Sequence, residues 1–280
     1  MRIHHLDCGT MCPLAGRLMG GGGGLLDRGL MVCHCLLIET ARDGLVLVDT
    51  GYGTLDCAAP RRLGRGFVAV SGPRLDPAQT AHAQVRALGH DPADVRHVVV
   101  THLDLDHAGG LPDFPGATVH LHRRELDAAR ARATMAERRR YRPHQFAQHT
   151  RWNPVSEAGD TWLGLPAVQR LAGLDADLAL IPLHGHTRGH SGVVVRAGRG
   201  WLLHAGDAYF HHHELVEPRS APPGVRLFQA AMQIDGAARH ASQDALRRLH
   251  REHPEVEIVS AHDPAELARV RHRVATRAAA

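Results

Sequence analysis

Thr101-His102-Leu103-Asp104-Leu105-Asp106-His107-Ala108-Gly109-Gly110 places four side chains with metal-ligand chemistry within six residues. Helix faces repeat every 3.6 residues and strand faces every two, so this density fits neither one helix face nor one regular strand edge. The spacing predicts a tight loop, closed by two glycines, that turns several of these groups to one side. His97-Val98-Val99-Val100-Thr101 runs directly into it and reads as a short buried strand. The ligand-rich segment therefore stands at a strand's C-terminal end.

Three other segments repeat that arrangement. Ile181-Pro182-Leu183 leads into His184-Gly185-His186-Thr187-Arg188-Gly189-His190-Ser191-Gly192. Trp201 to Leu203 leads into His204-Ala205-Gly206-Asp207, and Val256 to Val259 into Ser260-Ala261-His262-Asp263. One histidine in such a place is usually a hydrogen-bonded structural residue. Four histidine or acid clusters, each after an apolar strand, are hard to explain that way. Imidazole and carboxylate together are the donor set of a hydrolytic zinc-type site. The chain carries 24 histidines, and folding alone asks for nothing like that number of imidazoles.

Composition bounds the rest. With 280 residues and 44% hydrophobic content, the chain is ordinary globular material, and residues 1–280 read as a single domain without a linker or internal repeat. No apolar run reaches the ~20 residues of a membrane span, and Met1 to Asp7 lacks the apolar core of a signal peptide, so the expected location is cytoplasmic. All 33 basic residues are arginine, and the net charge of +4 is weak grounds for a nucleic-acid partner. Cys8, Cys12, Cys33 and Cys35 have only half the spacing of a zinc knot and are expected to be buried, reduced thiols.

Coarse elements follow from pattern. Strands are expected at Arg2 to Cys8, Met31 to Glu39, Leu45 to Val48, Val119 to His122 and Val193 to Arg196. Helices are expected over Pro77 to Leu88, Arg124 to Arg140, Ala238 to Glu252 and Pro264 to Ala278. Cys12 to Leu30 reads as a loop around Gly20 to Gly24, either a flexible surface segment or a flap whose Leu18, Met19, Leu25 and Leu26 close over a pocket. Strands in both halves, each half closing with helix, suggest two facing sheets with helices outside.

The ordered series His102-x-Asp104-x-Asp106-His107, His186-Thr187-x-Gly189-His190-Ser191, Gly206-Asp207 and a late His262 resembles the metallo-β-lactamase superfamily. Leu47-Val48-Asp49-Thr50-Gly51 is similar to that fold's early turn. Within the superfamily the layout is most similar to the N-acyl-homoserine-lactone lactonases. The resemblance implies an α/β (α+β) four-layer αββα sandwich with two divalent metal ions, most often Zn2+. His102, His186 and Asp104 would hold one ion, Asp106, His107 and His262 the other, and Asp207 both. His190 would support from behind, with at most that role for His184 and His204.

Most members have histidine where this chain has Asp104. A carboxylate brings negative charge and a harder donor, which moves preference toward Mn2+ or Fe2+; the alternative is that Asp104 does not ligate. The expected reaction is hydrolysis of a lactone or related carboxylic ester by a metal-bridging hydroxide, with Asp106 or Asp207 steering the proton. Tyr209 is a candidate donor to the oxyanion, although it lies one position earlier than the lactonases place theirs. Leu18, Met19, Phe146, Trp152, Trp162, Phe228 and Met232 are candidates for an acyl-chain groove. His211-His212-His213 reads as a solvated loop, with an accessory metal site as the minor reading.

Competing readings are glyoxalase II-like thioester hydrolysis, an RNA- or phosphodiester-processing member of the fold, and a metal-binding protein without activity. The eight arginines between Arg123 and Arg142 raise the nucleic-acid reading, but interleaved aromatics for base stacking are missing apart from Tyr141. A solvated helix is the leading reading of that segment, with an anionic substrate or a homodimer surface as the others.

Overall fold

Along Met31–Glu39, Leu36 and Ile38 enter one apolar cluster while Cys35 and Leu37 enter another. Side chains alternate across a strand, so a continuous apolar run needs cover on both faces. A computed structural model of the chain shows that cover; it describes residues 1–20, 24, 27–149, 151–156, 159–171, 173–174, 177–217 and 220–279. Residues 21–23, 25 and 26 of the expected glycine flap lie outside the described residues.

The first sheet contains β1 (Arg2–Met11), β2 (Met31–Glu39), β3 (Leu45–Val48), β4 (Pro73–Arg74), β5 (Val95–Val99), β6 (Thr118–His122) and β7 (Trp152–Val155). Their order is β4-β1-β2-β3-β5-β6-β7. The second contains β8 (Asp160–Trp162), β9 (Leu165–Arg170), β10 (Leu178–Pro182), β11 (Ser191–Ala197), β12 (Gly200–His204) and β13 (Val256–Val259), ordered β13-β12-β11-β10-β9-β8. Between the sheets, Val46, Val48 and Val99 meet Leu180, Val193, Val195 and Leu202.

Helices cover the outer faces. Val85 of α3 (Ala81–Ala87) and Leu126 of α5 (Arg123–Ala131) pack on Leu37, Leu47 and Val98. Leu246 and Leu249 of α9 (Gly236–Glu252) pack on Val194, Leu203 and Ile258. The order helix, sheet, sheet, helix is the αββα sandwich. A one-residue slip in β2 or β11 would exchange their inner and outer side chains, so this packing also pins the register.

Both expected hairpins are present, β2 with β3 and β11 with β12. Several expected boundaries need correction. Pro77 to Leu88 is a 3-10 turn, Pro77–Gln79, followed by α3, because the Thr80 side chain caps a fresh helix by accepting from Ala83 N–H. The arginine-rich helix is likewise two: α5 ends at Ala131, capped by Arg132 with φ of 44°, and α6 (Met135–Arg140) starts anew from a Thr134–Glu137 capping box. The expected tight loop at the ligand segment instead contains one helical turn, α4 (Leu105–Ala108), in which His107 and Ala108 N–H both donate to the Asp104 carbonyl. Helices α1 (Thr54–Ala58), α2 (Arg65–Ser71), α7 (Pro143–Phe146) and α8 (Pro223–Met232), and strands β7 to β9, escaped the sequence reading. Their short or mixed patterns carry little periodic signal. Pro264–Ala279 forms α10, close to its expected span.

Candidate metal centre

Each candidate ligand follows the end of a strand of the inner layers. β5 leads to His102, β10 to His186, β12 to Asp207 and β13 to His262. The Nε2 atoms of His102 and His186 lie 3.4 and 3.0 Å from Asp104 Oδ2, and His186 Nε2 lies 3.3 Å from Asp207 Oδ2. Beside them, His107 Nε2 and His262 Nε2 are 3.4 Å apart. These two lie 3.2 and 3.1 Å from Asp207 Oδ1, and His262 Nε2 lies 3.5 Å from Asp106 Oδ2. Donors about 2.0–2.1 Å from one tetrahedral cation stand about 3.3 Å from each other. The observed spacings match that edge length twice, with one Asp207 oxygen turned to each set. His102 Nε2, Asp104 Oδ1 and Asp207 Oδ1 are also buried without a hydrogen-bond partner. Such atoms are costly unless a cation or water completes them.

The supporting contacts decide which nitrogen each ring offers. His107 Nδ1 donates to Asp49 Oδ2 at 2.8 Å. Thr101 Oγ1 donates to the same oxygen at 2.8 Å and so accepts from His102 Nδ1 at 2.9 Å. One carboxylate thereby sets the tautomers of both rings and leaves both Nε2 atoms free for the centre. Asp49 holds this post at a φ of 56°, and its Oδ1 accepts from Thr101 N–H at 2.8 Å. His262 Nδ1 donates to the Val32 carbonyl at 2.8 Å. His190 lies behind Asp207: Asp207 N–H donates to its Nε2, and its Nδ1 donates to the Leu183 carbonyl. His184 and His204 contact backbone carbonyls of His190 and His34.

Sequence reasoning gave Asp49 no role beyond a turn and missed two other groups. Glu125 accepts from Leu103 N–H, Thr187 Oγ1 and Gly189 N–H, which ties the His102 loop to the His186 loop. Arg140 donates to Asp104 Oδ2 at 2.9 Å and to the Met232 carbonyl. Burial opposes charge on Asp104, but the guanidinium of Arg140 and the ring of His102 outweigh it and hold the carboxyl well below the usual range. Burial, and then Arg140, push His186 down to about 4, so its imidazole is neutral and ready to coordinate. A ligating Asp104 is thus a carboxylate that already has a cationic partner.

Cys33 Sγ stands with Asp106 and His262 in a group whose donor atoms lie within 4.8 Å of one another. Burial and Asp106 push its thiol up, so it stays protonated. The five cysteines are unbridged and four are buried, as expected, and among the described residues they form no zinc knot. His211, His212 and His213 do form a possible donor group, on a 3-10 turn where His212 contacts Asp263 at 2.7 Å.

Tyr209 is not brought to the centre. It is fully buried, and its phenol donates to the Glu266 carboxylate at 3.0 Å. The next residue, Phe210, faces the site, with its ring edge-on to His186 and His262. Both residues lie in the irregular turn that follows β12 (Gly200–His204), which sends the phenol into the core beneath α9 and the Phe210 ring toward the site.

Above the candidate ligands opens a cavity of about 590 Å³. Asp104, Asp106, His186, Asp207 and His262 form its floor. Of the expected groove residues, Phe228 and Met232 line it; Phe146, Trp152, Trp162 and Met19 pack in or against the apolar clusters, and Leu18 is exposed.

A fold with this site defines a metallo-hydrolase, and the chain belongs to the metallo-beta-lactamase superfamily, whose family model matches residues 28–262. Over 265 residues it is 38% identical to a probable metallo-hydrolase of Mycobacterium tuberculosis, covering 94% of this chain and 81% of that one. It is 30% identical over 269 residues to the N-acyl homoserine lactonase AttM of Agrobacterium fabrum, covering 94% of each. Among solved structures it is similar to an AiiA mutant of B. thuringiensis with N-decanoyl-L-homoserine bound, with a TM-score of 0.71 at 18% identity over 94% of each chain.

Proposed function

We propose that the protein hydrolyses a lactone or related carboxylic ester of the N-acyl-homoserine-lactone type at a dinuclear centre. The observation that carries this reading is the convergence of four histidine Nε2 atoms on Asp207 at the floor of an apolar-walled cavity. The kinship with AttM supports the choice of lactone. His102, Asp104 and His186 would hold one divalent cation, Asp106, His107 and His262 the other, and Asp207 both, with zinc the first candidate. Cations held there supply an acidified water and a Lewis acid for the carbonyl.

The side chains supply the rest. Asp106 faces the cavity and has no hydrogen-bond donor among the described residues. Its carboxylate takes a proton from the attacking water and returns it to the leaving alkoxide as the acyl C–O bond breaks. Phe210, Phe228 and Met232 exclude bulk water and offer an apolar wall to an acyl chain. The test is a hydrolysis panel with metal-reconstituted protein, containing acyl-homoserine lactones, simple lactones, S-lactoylglutathione, aryl esters and phosphodiesters. Turnover of lactones or aryl esters is the expected result; turnover of phosphodiesters alone would overturn the reading.

A further inference from the structure

The arginine-rich segment does not form the uninterrupted solvated helix that its composition suggests. Arg139, Arg140 and Arg142 line the cavity, and Arg65 joins them from the start of α2. Arg140 is engaged by Asp104. Among the described residues the side chains of Arg65, Arg139 and Arg142 have no ion-pair or hydrogen-bond partner; Arg65 and Arg139 are exposed, whereas Arg142 is half-buried with its Nε buried and unpartnered. The nearby carboxylates are committed elsewhere: Glu137 to Arg188 at 2.5 Å and Glu125 to the loops it ties together. The carboxylates that line the cavity are Asp104, Asp106 and Asp207, all candidate ligands.

A buried guanidinium nitrogen without an acceptor is costly, and unneutralised cations in a cavity focus field on an incoming anion. We infer that the substrate carries a second, anionic group, a carboxylate or phosphate separated by an apolar spacer from the scissile carbonyl, and that Arg142 and Arg139 receive it. This rests on the ester-hydrolase reading of the floor and narrows its substrate to a lactone or ester whose acyl chain ends in an anion, which a plain N-acyl-homoserine lactone lacks. The cavity then binds an amphiphile, with Phe228 and Met232 against the spacer and a planar guanidinium fork on the oxyanion.

The experiment compares three chromogenic substrates on the metal-loaded enzyme: 4-nitrophenyl hydrogen suberate, its neutral methyl ester, and the analogue ending in phosphonate. The expected result is a kcat/KM about tenfold or more higher for an anionic ester than for the neutral one. That ratio falls toward one in Arg142→Gln and Arg139→Gln and with rising salt. The anion giving the larger arginine-dependent ratio identifies the oxyanion. Because each variant is judged on a ratio, a partly active preparation does not imitate the effect. Calorimetric binding of suberate to wild type and Arg142→Gln separates the two readings. Arginine-dependent binding without turnover supports the anion seat and counts against ester hydrolysis. Equal turnover of all three esters by the wild type overturns the anion seat and leaves the hydrolase reading standing. Neither turnover nor binding overturns both.

Discussion

Arg140 donates to Asp104 through the same carboxylate oxygen, Oδ2, that faces His186, with distances of 2.9 and 3.0 Å. Both side chains of this ion pair are over nine-tenths buried. The carboxylate that replaces the family's usual histidine thus comes with a cation that offsets its extra charge.

Two roles of Asp104 can be separated by a mutant cycle. Asp104→Ala removes a candidate ligand and strands a buried guanidinium. Metal per chain should fall from two toward one, and stability by about 3–5 kcal/mol. Adding Arg140→Ala should restore much of the stability but not the metal. Elemental analysis and chemical denaturation read the two effects. Two metals retained in Asp104→Ala would remove this residue from the ligand set.

Asp49 should matter to metal affinity although it touches no cation. Asparagine is the informative replacement, because it tolerates the left-handed backbone found there and removes only the charge and one acceptor. Asp49→Asn should weaken metal binding by about 10–100-fold, measured by competition with a chromogenic chelator. Unaltered affinity would mean that the rings need no such anchor.

Tyr209 should be a stability residue. Its phenol is spent on Glu266, so Tyr209→Phe should cost about 1–3 kcal/mol and leave kcat/KM within twofold of the wild type. A large fall in turnover at full metal content would reinstate the catalytic role that its position after Asp207 suggests.

Glu266 predicts a pH dependence. Burial, and then Asp263, raise its pKa from 4.5 to about 8. The folded chain therefore keeps a proton that the unfolded chain releases. The stability due to this proton is complete below pH 4.5 and is lost as pH rises through about 8. Glu266→Gln imitates the protonated form, so its stability should match the wild type near pH 5 and exceed it at pH 9. Parallel denaturation curves at both pH values would contradict the assignment.

Much of the candidate site was legible because the candidate ligands cluster where strands end, and His102, Asp106, His107, His186, Asp207 and His262 stand in short segments with few ways to turn. The supports were less legible. Asp49 and Glu125 are ordinary acids in sequence, and their roles depend on partners at Thr101, His107, Leu103, Thr187 and Gly189 that only the packed sheets bring near. The arginine helix was misjudged because periodicity could not register the interruption at Arg132.

Residue order alone determined the double-sided burial of strands such as Met31–Glu39 and the placing of His102-x-Asp104-x-Asp106-His107 at a strand's end, since both follow from local periodicity and spacing. The tertiary structure alone decided that Tyr209 turns into the core while Phe210 faces the centre, that Arg140 meets Asp104, and that Arg139 and Arg142 line the cavity. Those outcomes depend on the direction each side chain takes after a bend and on what a distant segment places opposite it, and neither is written in the pattern of neighbouring residues.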